Sequence, residues 1–104
     1  MLEVEISVPP TAVLSKMESV VEAACAAEGL ELRLKGTLAK CPGCVHWHFQ
    51  KGAQRGTLEI TWWEKQRRLW CKVAAGRKGA WMEETIPRLK SVLEKRRPTG
   101  HPNQ

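Results

Sequence analysis

A chain of 104 residues with 17 lysines and arginines against 11 glutamates, and neither aspartate nor tyrosine, has room for one domain and lacks the parts of a Ser-His-Asp triad. Its net charge of +6 conceals a split: Met1–Glu31 holds one lysine and six glutamates, a balance of −5, and Leu32–Gln104 holds sixteen basic residues and five glutamates, +11. A field of that sign favours an anionic partner, nucleic acid first, and a chain with no apolar run of membrane-spanning length and no signal-like segment reads as cytoplasmic.

Leu2, Val4, Ile6 and Val8 alternate with Glu3, Glu5 and Ser7, which predicts a first strand stopped by Pro9 and Pro10. Thr11 is positioned as the N-cap of a helix running to Glu28, with Val13, Leu14, Met17, Val20, Val21, Ala24 and Cys25 on one stripe and Gly29 closing it. A second strand follows, with Leu30, Leu32, Leu34 and Leu38 on its core face. Pro42-Gly43 is read as the turn into a third, setting Cys41 opposite Cys44 and Leu38 opposite Trp47.

In the third and fourth strands the alternation is clearest. Val45, Trp47 and Phe49 interleave with His46, His48 and Gln50; Leu58, Ile60 and Trp62 interleave with Thr57, Glu59 and Thr61. A symmetric hairpin through Lys51–Gly56 sets Gln50 against Thr57, His48 against Glu59 and His46 against Thr61, and a slip of one residue would split the apolar set between the two faces. The Lys65-Gln66-Arg67-Arg68 tip leads to a fifth strand with Leu69, Cys71 and Val73 inward and Trp70 and Lys72 outward. Gly76-Arg77-Lys78-Gly79 breaks the sheet before a helix over Glu83–Arg97, in which Pro87 is tolerable only near the start.

The order β-α-β-β-β-β-α predicts an α+β two-layer sandwich: a five-stranded, mainly antiparallel sheet with both helices on one face. The domain spans residues 1–97, and 98–104 form a disordered tail. The first strand fits beside either the second or the fifth.

Thr37, Cys41, Cys44, His46, His48, Glu59, Thr61, Trp63, Trp70 and Lys72 collect on the sheet's other face. Exposed tryptophans there suggest an interface, most simply a sheet-to-sheet homodimer. Cys41 and Cys44 with His46 and His48 offer thiolate and imidazole ligands suited to zinc; a redox dithiol and plain reduced thiols are the alternatives. Cys25 and Cys71 read as core thiols. His46, His48 and Glu59 form a competing two-histidine, one-carboxylate set, which could hold a metal, act as an acid–base pair or serve as cross-strand hydrogen bonding.

The leading functional expectation is a non-enzymatic domain binding nucleic acid. Lys65, Arg67, Arg68, Lys72, Arg77 and Lys78 would hold phosphates, and Trp63 and Trp70 would stack on bases, provided the two basic loops share one end of the sheet. A zinc- or thiol-dependent enzyme, or a zinc-stabilised domain, is the alternative.

Overall fold

The apolar parity of the central hairpin is realised. In the computed structural model, which describes residues 2–95, β3 (Cys41–Gln50) pairs with β4 (Leu58–Trp63), with His46 opposite Thr61, Trp47 opposite Ile60 and His48 opposite Glu59. Gln50 donates from Nε2 to Thr57 Oγ1 at 3.2 Å and extends the same register. Burial drives this pairing: Trp47, Phe49, Leu58, Ile60 and Trp62 all lie in the core, and a shifted register would expose them.

β5 (Arg68–Val73) adds to β4, and β1 (Leu2–Ile6) docks beside β5 rather than beside β2 (Glu31–Leu38), which settles the position of the first strand. The sheet order is β1-β5-β4-β3-β2, with every pair antiparallel. Two helices, α1 (Met17–Ala27) and α2 (Met82–Glu94), share a single apolar cluster with one face of the sheet, as an α+β sandwich requires. Cys25 and Cys71 belong to that cluster. No helix among the described residues is long and apolar enough to cross a membrane.

The ends of α1 divide the sequence expectations. Its C-terminus closes as a Schellman motif: Gly29 takes φ +78°, its N–H donates to Ala26 O, and Leu30 N–H donates to Cys25 O. Its N-terminus does not begin at Thr11. A turn in which Ala12 N–H donates to Pro9 O comes first, then extended Val13, then a 3-10 turn over Leu14–Lys16, so that Thr11 caps nothing. In α2, Pro87 sits in the second turn on the exposed side. The helix ends at Glu94 instead of Arg97, and residues 96–97, like the expected tail 98–104, lie outside the described residues.

β2 departs furthest. The turn into β3 is Ala39-Lys40, not Pro42-Gly43; Leu38 faces Cys41, and Trp47 faces Lys35 rather than Leu38. Cys41-Pro42-Gly43-Cys44 instead forms a bulged segment at the start of β3, where Gly43 adopts φ +83°, and Cys41 and Cys44 are joined by a disulfide across it. A further irregularity between Leu32 and Leu34 shifts β2's parity, so Leu34 leaves the core face and stands opposite His48, half-exposed. Lys35 takes the helix-side position and reaches Glu18 and, at 2.7 Å, Glu22 of α1. Trp47 Nε1–H donates to the same Glu22 at 2.9 Å, so an edge strand is held by an ion pair where leucine packing was expected.

The core thiols carry a testable consequence. Burial pushes the Cys71 thiol up to about 12 and the Cys25 thiol higher still, and thiolate is the reactive species. Native protein at pH 8 should therefore resist iodoacetamide, and denatured, unreduced protein should titrate two thiols. Four would show that Cys41 and Cys44 are not joined.

Candidate metal centre

The register that buries the apolar set turns His46, His48 and Glu59 to the opposite face of the sheet. His46 and His48, two residues apart on β3, point the same way, and Glu59 on β4 is the direct cross-strand neighbour of His48. Their ligating atoms converge. His46 Nε2 lies 3.1 Å from His48 Nε2 and 3.5 Å from Glu59 Oε1, and His48 Nε2 lies 4.0 Å from that oxygen. Ligand atoms bound at about 2.0–2.2 Å to one tetrahedral ion stand roughly 3.3–3.6 Å apart. The nearest point equidistant from the three observed atoms lies in their plane, about 2.1 Å from each, and an ion somewhat above it keeps distances close to Zn–N and Zn–O bond lengths.

The orientation of His46 is fixed from behind. Its Nδ1 is 2.8 Å from Thr61 Oγ1, the cross-strand neighbour. A proton on Nδ1 donates to that hydroxyl and leaves Nε2 as a lone pair aimed at His48 and Glu59, the arrangement in which an outer partner sets the ligating tautomer. Burial holds His46 below the ordinary imidazole range, against the pull of Glu59, with smaller downward contributions from His48, Lys72 and Lys40. The neutral, ligating form is favoured. Two imidazole lone pairs at 3.1 Å repel one another, so either a proton or a cation must lie between them. Without a metal, an N–H of one ring donating to the other supplies it, and the triad is then a partly buried hydrogen-bonded cluster.

The cysteines separate from the histidines. Bonded to each other, Cys41 and Cys44 present no thiolate, and the set that converges contains Glu59 in their place. They pack with Trp70, Leu38 and Trp63 into a second small apolar cluster on the outer face, with Thr37 Oγ1 3.7 Å from Cys44 Sγ. Trp70, expected to stand free for stacking, is only 5% exposed, because the bulged segment covers it from one side and the Arg68 guanidinium lies 4.0 Å over its ring. Trp63 is half-buried. The aromatic surface that suggested a sheet-to-sheet homodimer is largely covered by the chain itself.

The basic residues do not form one patch. Lys65, Arg67 and Arg68 lie at the β4–β5 end, whereas Arg77 and Lys78 follow β5 at the opposite end, a strand length of about 20 Å away. Arg68 is committed to Glu5 through Nε at 2.8 Å and Nη2 at 3.0 Å, and Arg67, at φ +50°, donates from Nη2 to Pro9 O at 2.6 Å. Lys72 sits mid-strand between Glu59 and Glu3. Thr61 is the functional candidate that the alternation alone did not single out, although the hairpin register already set it against His46.

No family model, curated protein or solved structure matches this chain.

If Thr61 orients a ligand, Thr61→Val, which keeps the shape and removes the acceptor, should weaken zinc binding by roughly 10–100-fold. Circular dichroism should remain unchanged. Calorimetric titration of wild-type and variant protein with Zn²⁺ measures the difference.

Proposed function

We propose that this protein binds a divalent transition-metal ion, zinc foremost, through His46 Nε2, His48 Nε2 and Glu59 Oε1. The observation that carries the reading is the convergence of the three atoms on a point at bonding distance from all of them. Two imidazoles and a carboxylate suit zinc and the neighbouring first-row ions, with iron(II) also compatible with that donor set. Support comes from the low exposure of His46 and Glu59, which limits competition by water, and from the Thr61 contact behind His46. Three protein donors leave at least one coordination position for water or an external ligand. His48 is the most exposed of the three side chains and marks the side from which such a ligand would enter. A bound ion would also replace the proton otherwise needed between the two imidazoles, so metal and proton compete for the same place.

Elemental analysis of protein purified without chelator, followed by Co²⁺ titration monitored in the visible spectrum, tests the reading. One ion per chain is expected. His46→Ala and His48→Ala should each cost more affinity than the roughly 10–100-fold lost with an outer-shell partner, and Glu59→Gln should weaken binding as well. Cys41→Ser and Cys44→Ser should retain the ion. Absence of metal together with an unchanged Co²⁺ spectrum, or loss of binding in the cysteine variants alone, would overturn it.

A further inference from the structure

Part of the +11 balance of Leu32–Gln104 sits on two loops distant in sequence. The β3–β4 connection carries Lys51 and Arg55; the segment between β5 and α2 carries Arg77 and Lys78. These loops are locked together by their backbones. Thr57 N–H donates to Arg77 O at 2.9 Å, and Trp81 Nε1–H donates to Arg55 O at 2.9 Å. Gly79 passes so close to Arg55 that a Cβ on it would lie 1.9 Å from the Arg55 carbonyl oxygen. Gly56, at φ +119°, faces Gly79, and a Cβ on it would lie 2.8 Å from the Gly79 nitrogen. Only glycine on both sides permits this approach, so the spacing of the cations is built into the fold.

None of Lys51, Arg55, Arg77 and Lys78 has a carboxylate within 4.0 Å among the described residues, whereas Arg33, Lys35, Arg68, Arg88 and Lys90 each do. The nearby acidic group is Glu83, which shares with Lys78 an open cleft of about 430 Å³ beneath the loop. Arg55, Arg77 and Lys78 are exposed and Lys51 is half-exposed. Cations on a ridge of two joined loops, of which only Lys78 lines the cleft, suit a polyanion better than a single small anion.

We propose that this double loop is a phosphate-binding surface for nucleic acid, separate from the residues at the β4–β5 tip. It carries no base-reading aromatic group, so the contact is to the backbone and independent of sequence. The ridge lies at the end of the sheet to which His48 and Glu59 are nearer. Gln50 and Thr57 separate the triad from the loops, a distance of about 7–10 Å at strand rise, so a bound strand would pass beside the triad. The charge and the loop lock carry the inference whether or not the triad holds an ion.

Fluorescence anisotropy with labelled single- and double-stranded oligonucleotides, measured in EDTA over a series of salt concentrations, tests it without involving the metal. Four phosphate contacts give a log–log slope near −3.6 on duplex and roughly −2.8 on single strands. The double variant Arg55→Gln/Arg77→Gln, with its fold checked by circular dichroism, should flatten the duplex slope by about 1.8. Lys65→Gln, at the far end of the sheet, should leave it unchanged. No binding at low salt, an unchanged slope in the double variant, or equal affinity for polyglutamate of matched charge would each overturn the proposal.

Discussion

The register of the β3–β4 pair is the constraint on which the rest depends. Five large apolar side chains alternate along these two strands, and a one-residue slip of the pairing would take part of them off the helix side. At ~25 cal/mol per Å² of apolar surface, exposing even two tryptophans would cost several kcal/mol, comparable with the net stability of a small domain. The polar residues between them have no freedom of their own. His46, His48 and Glu59 converge because Trp47, Phe49 and Ile60 must be buried, and Thr61 stands behind His46 for the same reason.

The outer face is consequently two regions with different physics. Toward the turn into β3, the bulged Cys41–Cys44 segment folds over Trp70 and makes a small apolar cluster where an open sheet face was expected. Beside it, the His46–His48–Glu59 group is polar, low in exposure and satisfied only if a proton or a cation sits among its ring nitrogens. Arg68, at the start of β5, is bound to Glu5 and lies over Trp70, which removes it from the pool of cations available to a partner. Lys65 and Arg67 at that end, like Lys51, Arg55, Arg77 and Lys78 at the other, have no carboxylate within 4.0 Å among the described residues.

Much of this was legible in the sequence where two independent signals agreed. The hairpin register followed from alternation on both strands, and the end of α1 from an apolar stripe meeting Gly29. The α+β layering followed from two one-sided helices with a meandering sheet. β2 was not legible, because leucines at alternate positions of an edge strand fit either face and a bulge leaves no mark in composition. The Pro42-Gly43 pair reads as a turn, yet the turn formed three residues earlier, and a glycine with positive φ serves a bulge equally well. Thr11 shows the same ambiguity, since a capping residue is also a turn residue. The juxtaposition of the two basic loops could not be read from local pattern, because it depends on contacts such as that of Thr57 with Arg77, 20 positions apart in the chain.

The most direct measurement of the central claim is the nitrogen-15 spectrum of the imidazoles, recorded before and after one equivalent of Zn²⁺. Binding through the triad requires the Nε2 resonances of both His46 and His48 to move to the metal-bound region while Nδ1 of His46 stays protonated against Thr61. Unmoved resonances, or ligation through Nδ1, would contradict it and leave the three side chains as a hydrogen-bonded cluster of the sheet.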